Sequence, residues 1–141
     1  MIAYIDASVL LRLVLRQPNA LAEWGQVERC ASSALITTES LRSLDRLRLR
    51  TNVADHQLAR WRAAIFALIA SVELVEINAA VLDRAAQPMP TVLGTLDAIH
   101  LATALLWKEM TGTDVVMATH DRELAIAAEA HGMKVVGAPR A

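Results

Sequence analysis

The chain opens with Met1-Ile2-Ala3-Tyr4-Ile5-Asp6, a short apolar run that ends at a carboxylate. An apolar run of this length, bounded by a polar residue, is typical of a strand that is buried on both faces. Residues 8–16 then predict a helix, which Pro18 stops. A buried strand followed directly by a helix indicates an α/β domain with a mainly parallel sheet.

The same alternation continues along the chain. We predict further helices over residues 20–31, 39–50, 55–71, 79–86, 95–108 and 121–131, and further strands over 34–37, 72–77, 114–118 and 134–136. Thr38, Asp55 and Thr95 are the predicted N-caps of three of these helices. Residues 87–94, with two prolines and a glycine, predict a loop. No repeat or change of composition divides the chain, so we expect a single domain over residues 1–141.

Composition excludes several classes of protein. Hydrophobic residues make up 55% of the 141 residues and charged residues 21%, which excludes a disordered chain. The net charge of −1 gives no general attraction to nucleic acid, so any such partner needs a local patch. The single cysteine, Cys30, excludes an intramolecular disulfide and a cysteine-rich zinc site. No apolar stretch reaches the ~20 residues that span a bilayer, so we expect a cytoplasmic protein without a membrane partner.

Four carboxylates stand at comparable places in the predicted elements. Asp6, Glu39 and Asp121 each follow a predicted strand, and Asp97 falls in the first turn of its predicted helix. Each residue alone has a structural explanation, because helix N-termini favour anions. Together they predict one acidic site, since the carboxyl ends of parallel strands share an edge of the sheet. Four carboxylates would repel one another unless a cation neutralised them, and an all-oxygen site suits Mg²⁺ or Mn²⁺.

Such a site indicates phosphodiester hydrolysis, because hard cations bind phosphate oxygens and lower the pKa of a bound water. The chain has no P-loop, no G-x-S-x-G elbow and no G-x-G-x-x-G turn. A hard-metal phosphatase of the haloacid-dehalogenase type is an alternative. That chemistry requires a second acid two residues after the nucleophilic Asp, and Ser8 occupies the corresponding position here.

Three segments resemble the motifs of PIN domains. They are Tyr4-Ile5-Asp6-Ala7-Ser8-Val9-Leu10, Thr95-Leu96-Asp97-Ala98-Ile99-His100-Leu101-Ala102-Thr103-Ala104, and Ala118-Thr119-His120-Asp121-Arg122-Glu123-Leu124. Glu39 stands in the less distinctive second motif. The motifs occur in the family's order over essentially the whole chain, and the layout is most similar to the VapC group of toxin ribonucleases.

This resemblance implies a three-layer PIN-like fold and a ribonuclease that depends on Mg²⁺ or Mn²⁺. By the same resemblance Asp6, Glu39, Asp97 and Asp121 are catalytic, with Asp6, Asp97 and Asp121 on the metal and Ser8 supporting the site. It also implies an RNA substrate and an antitoxin protein as partners. The alternative within the same fold is a catalytically silent module that binds RNA or protein.

Arginines are the candidate contacts for these partners. Arg42, Arg46 and Arg50 fall on the same side of the predicted helix as Glu39 and lead away from it, and Arg122 follows Asp121. Arginine forks match phosphate oxygens, so this stripe predicts contact with RNA. Contact with acidic groups of an antitoxin and a simple solvated face are the alternatives.

The two histidines near the acids have less definite interpretations. His100 is expected to be either a packed structural residue or a hydrogen-bond partner of a carboxylate. His120 is expected to be a solvent-exposed loop residue, and the alternative is that it reaches the metal edge. The helix over residues 55–71 has more large apolar residues than one core stripe needs, which predicts a homodimer contact or an antitoxin groove. These residues are Leu58, Trp61, Ile65, Phe66, Leu68 and Ile69.

Overall fold

A five-stranded parallel sheet forms the centre of residues 1–139, the part of the chain that the structure, a computed structural model, describes. The strands are β1 (Ile2–Ile5), β2 (Arg29–Ser33), β3 (Glu73–Val75), β4 (Val115–Ala118) and β5 (Lys134–Val136). Their order across the sheet is β3-β2-β1-β4-β5, and all four pairings are parallel. The predicted α/β class with a mainly parallel sheet is confirmed.

Helices connect the strands. They are α1 (Ala7–Val14), α2 (Leu35–Arg50), α3 (Asp55–Ile69), α4 (Ala79–Ala85), α5 (Thr95–Thr111) and α6 (Arg122–Ala130). Alternate residues of β1 point to opposite faces of the sheet. Ala3 and Ile5 enter a core with α1, α2 and α3, whereas Tyr4 enters a second core with α5 and α6. Helices therefore cover both faces of the sheet, which confirms the three-layer arrangement.

The order in which strands are added to the sheet reverses at β1. From β1 the chain adds β2 and then β3 on one side, and it later adds β4 and β5 on the other. In open parallel sheets, ligands bind beyond the carboxyl ends of the strands at such a reversal point. The order of the strands therefore directs attention to the residues that follow β1 and β4.

The helix predicted over residues 20–31 is wrong. A short 3₁₀ helix (Ala22–Gln26) is followed instead by β2, whose residues from Cys30 to Ser33 are buried. Small residues such as Ala31 and Ser32 have little intrinsic preference for a strand. Pairing with β1, and the hydrogen bond that Ser32 Oγ donates to the Ile5 carbonyl at 2.7 Å, stabilise the strand from outside the segment.

The strand predicted over residues 34–37 is also wrong, since α2 already begins at Leu35. The β-branched Ile36 suggested a strand, but Ile36, Ser40 and Leu44 form a buried helical stripe that overrides this propensity. Thr38 is therefore not an N-cap, and Glu39 lies in the second turn of α2 rather than at a junction between strand and helix. The cap positions of α3 and α5 also differ by one residue: Ala54 and Gly94 precede Asp55 and Thr95.

The apolar surplus of α3 is mostly used within the chain. Ile65 and Ile69 are buried, while Leu58, Trp61 and Leu68 pack partly against the same core; Phe66 is 44% exposed. The number of apolar residues on α3 therefore gives little support to a partner surface there, and the homodimer stays a prediction. In the described residues, no helix is both long and apolar enough to cross a membrane.

Candidate active site

Asp6 lies directly after β1, at the reversal point of the sheet, and caps α1. Its side chain is buried, yet both carboxylate oxygens have donors. Ser8 Oγ donates to Oδ1 at 2.5 Å and the Val9 amide donates to the same oxygen at 3.2 Å. Thr119 Oγ1 donates to Oδ2 at 2.6 Å. These bonds hold the carboxylate in one orientation without neutralising its charge.

Thr119 connects Asp6 to Asp121. Ile5 and Ala118 are paired residues of β1 and β4, so the residues that follow them, Asp6 and Thr119, are neighbours at the sheet edge. Thr119 Oγ1 also accepts a hydrogen bond from the Asp121 amide at 3.0 Å. Asp121 then caps α6 through Oδ1, which accepts from the Leu124 amide at 2.8 Å. The carboxylates of Asp6 and Asp121 are therefore each oriented by an amide in the first turn of the helix that they cap.

Asp97 lies in the first turn of α5, and its carboxylate has no hydrogen-bond partner within residues 1–139. Burial first, then the negative charges of Asp121 and Asp6 and a smaller contribution from Glu39, together raise the pKa of Asp97 to about 6. Only a protonated His100 would act in the opposite direction and lower the pKa of Asp97. Asp97 is therefore close enough to the other three predicted acids for their charges to act on it.

Glu39 approaches the same edge from the second turn of α2. Its Oε1 lies 2.5 Å from Nε2 of His100, which is only 1% exposed. His100 Nδ1 lies 2.7 Å from the hydroxyl of buried Tyr4. Both alternatives stated for His100 therefore hold: it is a packed histidine, and it hydrogen-bonds a carboxylate.

The oxygen ligands suit a hard divalent cation such as Mg²⁺ or Mn²⁺, because each acid is ionisable and near the others. The raised pKa of Asp97 agrees with such a fit, since a cation would relieve the repulsion from the neighbouring acids. In the stretch from residue 1 to 139, however, no three His, Cys, Asp or Glu side chains already converge as a metal-binding group. The carboxylates are gathered, but their side chains would have to adjust to hold an ion.

His120 does not have the solvent-exposed position expected for it. Its ring is partly buried, and Nδ1 donates to the Gly137 carbonyl at 2.8 Å. Nε2 is buried and has no partner among the described residues. His120 and Arg122 line a groove of about 680 Å³ beside α6. The expectation was wrong because β5 and the residues after it cover this loop.

The arginines of α2 are exposed, as predicted, but several of their guanidinium groups bind side chains of the same helix. Asp45 pairs with Arg42 at 3.1 Å and with Arg48 at 2.9 Å, and Arg46 donates to Ser43 Oγ at 2.9 Å. Arg50 makes no such side-chain bond within residues 1–139. RNA contact and antitoxin contact both stay predictions.

Sequence reasoning did not assign Thr119 or Tyr4 to the site. Thr119 had a detectable signal, because Asp6 and Thr119 each come directly after a strand of one parallel sheet. Tyr4 had a weaker one: a single tyrosine within a buried strand needs a partner for its hydroxyl. The identity of that partner, His100, depended on how α5 packs on the sheet.

Comparisons with known proteins agree with this fold. The model of the PIN domain family matches residues 3–134. Ribonuclease VapC46 of Mycobacterium tuberculosis (strain ATCC 25618 / H37Rv) is 34% identical over 137 residues, covering 94% of this chain and 95% of that protein.

Two solved structures are similar in fold. The crystal structure of PAE2754 from Pyrobaculum aerophilum has a TM-score of 0.64 at 22% identity and covers 96% of this chain and 84% of that one. A toxin–antitoxin complex from Klebsiella pneumoniae has a TM-score of 0.62 at 21% identity, with 87% of this chain and 90% of that one covered. At these identities the two structures support the fold alone.

Proposed function

The chain belongs to the PIN domain family, in its VapC group, and we propose that it is a metal-dependent endoribonuclease acting as the cytoplasmic toxin of a toxin–antitoxin pair. The relative named Ribonuclease VapC46 supports ribonuclease activity. The observation that supports the site most directly is the Thr119 hydroxyl, which donates to Asp6 and accepts from the Asp121 amide at the edge of the sheet. The raised pKa of Asp97, to about 6, agrees with this placement. Four acids are gathered at the sheet edge where ligands of such folds bind.

We assign separate roles to these acids. Asp6 presents a fixed carboxylate, because Ser8, Val9 and Thr119 hold both of its oxygens. Asp121 is held through one oxygen by the amide of Leu124. The charges of Asp121 and Asp6 both raise the pKa of Asp97, whose carboxylate has no hydrogen bond in the described range.

Asp6, Asp97 and Asp121 would hold Mg²⁺ or Mn²⁺, and Glu39 would complete the site. When bound, the ion supplies positive charge that polarises the phosphate and lowers the pKa of a water. The carboxylates would orient a water for attack on the phosphorus, and the bond from phosphorus to the leaving oxygen breaks as the new bond forms. The proton that this water gives up would pass to a carboxylate or to solvent, and the leaving oxygen would take a proton from solvent. Because water is the nucleophile, no side chain would form a covalent bond with RNA.

Substitution of the acids tests this function. Asp6→Asn and Asp97→Asn should each lower RNA cleavage with Mn²⁺ by at least about 100-fold, because they remove ligands rather than supporting residues. Asp83→Asn is the matched control, since Asp83 is exposed on α4 and makes no side-chain bond within residues 1–139. Unchanged cleavage in both variants would contradict the proposal.

The same assay separates the alternatives. A wild-type chain that binds RNA but does not cleave it with Mg²⁺ or Mn²⁺ would favour a silent binding module. Hydrolysis of a small phosphate monoester without cleavage of RNA would favour a phosphatase.

We further propose that Arg42, Arg46, Arg50 and Arg122 contact either RNA or the antitoxin. Arg50→Gln discriminates between the two, because Arg50 is exposed and has no side-chain bond in the described range. Loss of a phosphate contact would reduce the salt dependence of binding to single-stranded RNA by about 0.7 in the logarithmic slope. An unchanged slope with weaker binding to the antitoxin would favour the protein partner.

An antitoxin and a homodimer complete the proposed assembly. A small protein encoded next to this chain should suppress its toxicity on co-expression, and failure of any neighbouring frame to do so would contradict the toxin role.

For the homodimer, exposed Leu82 and Val92 beside a groove of about 470 Å³ give modest support. Light scattering should give twice the monomer mass, and Val92→Asp should lower it, with exposed Leu49→Asp as control. A monomer at all concentrations would exclude the homodimer.

A further inference from the structure

A hydrogen-bonded chain through the second core ends at Glu39. The Ser33 amide donates to the Tyr4 hydroxyl at 3.0 Å, that hydroxyl lies 2.7 Å from His100 Nδ1, and His100 Nε2 lies 2.5 Å from Glu39 Oε1. The chain joins β2, β1, α5 and α2. We propose that His100 is a positioning residue for Glu39 and that Tyr4 determines which nitrogen of His100 carries the proton; this inference rests on the proposed function of the site.

The proton positions follow from which atoms can donate. The Ser33 amide can only donate, so the Tyr4 oxygen accepts there and its own proton is free for His100 Nδ1. A neutral imidazole that accepts at Nδ1 carries its proton at Nε2. In this arrangement His100 donates to Glu39 Oε1, and the Ser33 amide, the Tyr4 hydroxyl and both nitrogens of His100 are paired.

Burial makes this arrangement rigid. Tyr4 is fully buried and His100 is 1% exposed, so neither side chain can exchange its partner for bulk water. A polar chain in a low-dielectric core is costly when any member loses its partner. The rings also meet edge to face, with their centroids 5.8 Å apart. His100 can therefore hold Glu39 in one place.

Glu39 needs such a partner more than Asp6 and Asp121 do. Asp6 and Asp121 each have one carboxylate oxygen held by an amide or hydroxyl close to them in the chain. Glu39 has a longer side chain and lies inside α2, and its only side-chain bond within residues 1–139 comes from His100, 61 residues away. With Oε1 held by His100, Oε2 remains available to a cation.

Two substitutions at one position separate this role from packing. In His100→Gln the amide nitrogen lies near the place of Nε2 and can donate to Glu39, whereas in His100→Asn it lies near Nδ1 and cannot. Both lose the ring. Titration calorimetry of the full chain with Mn²⁺ alone should show binding about 10- to 100-fold weaker in His100→Asn. His100→Gln should recover most of that loss.

Tyr4→Phe tests the proposed role of Tyr4 in the hydrogen-bonded network. It should weaken Mn²⁺ binding in the same direction but less, and it should add nothing in the His100→Asn background, because both changes break one network. Cleavage should show a higher Mn²⁺ requirement with little change in kcat at saturating Mn²⁺. Additive effects in the double variant would overturn the role of Tyr4.

Val115→Ala is the control for lost stability, since Val115 is buried at the opposite end of β4 from the site. It should lower the melting temperature and leave Mn²⁺ binding unchanged. Equal weakening in Val115→Ala and His100→Asn would assign the effect to stability and overturn the inference. The inference would also be overturned if His100→Asn bound Mn²⁺ within twofold of wild type, or if His100→Gln bound Mn²⁺ no better than His100→Asn.

One readout needs neither metal nor RNA. Long-range ¹H–¹⁵N spectra of the metal-free chain should place the His100 proton on Nε2, and protonation of Nδ1 would overturn the chain as drawn. The two proposals fail differently. A wild-type chain that neither binds Mn²⁺ nor cleaves RNA contradicts the proposed function, whereas normal binding that ignores His100 contradicts only the positioning role.

Discussion

At the scale of single residues, Asp97 carries the largest electrostatic cost of the site. Its pKa is raised from 3.8 to about 6 by burial first, then by Asp121 and Asp6. The folded chain therefore binds more protons than the unfolded chain between these two values. By linkage, the favourable contribution of protonated Asp97 is complete below pH 4 and is lost as the pH rises through 6.

Asp97→Asn should consequently stabilise the metal-free protein at high pH. With EDTA at pH 8 we expect a gain of about 1 kcal/mol, a figure reduced for solvent screening because Asp97 is only partly buried, or roughly 2–8 °C in melting temperature. The gain should shrink towards pH 4, as thermal melts across this range would reveal. If Asp83→Asn behaves in the same way, the effect belongs to net charge and not to the site.

Thr119 joins two of the acids through one hydroxyl, as donor to Asp6 and as acceptor from the Asp121 amide. Thr119→Val keeps the shape and removes both bonds, so we expect RNA cleavage to fall about 10- to 100-fold. Thr111→Val removes a hydroxyl bonded to the Trp107 carbonyl at the far end of α5 and is the control. Cleavage rates that are equal in the two variants would deny Thr119 a supporting role.

At the scale of elements, the end of β5 is braced against the loop after β4. Gly137 has φ +93°, and a Cβ there would lie 2.9 Å from both Leu21 Cδ1 and the Thr119 carbonyl. The neighbouring Val136 carbonyl accepts from the Thr119 amide at 3.1 Å. This contact supports the backbone of Thr119 and His120, so the conformation of Gly137 affects the site.

Gly137→Ala should therefore reduce both stability and activity. A non-glycine residue in this backbone region costs about 1–3 kcal/mol, and the clash would displace Thr119. Gly25→Ala has open space and should stay within about 0.5 kcal/mol of wild type. Chemical denaturation and RNA cleavage measured on both variants check this, and a fully stable, active Gly137→Ala would refute the bracing contact.

At the scale of the whole molecule, the gathered acids and the stability of the fold are coupled. Ligand that binds only the folded chain stabilises it by mass action, by about 2.7 kcal/mol when its concentration is 100 times Kd. Mn²⁺ at that excess should raise the melting temperature and EDTA should reverse the rise. Asp6→Asn should show no such shift, and an equal shift in wild type and Asp6→Asn would mean that the ion binds elsewhere.

Much of the fold and of the site could be predicted from the sequence, because the relevant signals are local. The apolar run before Asp6 indicated a buried strand, and the repeated alternation of strands and helices indicated the parallel sheet. Asp6 and Asp121 are N-caps and Asp97 lies in a first helical turn, all of which neighbouring residues determine. The positions of these three acids at helix starts were predicted correctly for that reason, and their roles at a metal stay a prediction.

Tertiary structure alone decided where β2 and α2 begin and how Glu39 is held. Small residues become β2 only when they pair with β1, and Glu39 lies inside a helix whose start depends on core packing at Ile36. The bonds from His100 to Tyr4 and to Glu39 span 96 and 61 residues. Such contacts exist only after α5 has packed on the sheet, and no local propensity encodes that packing.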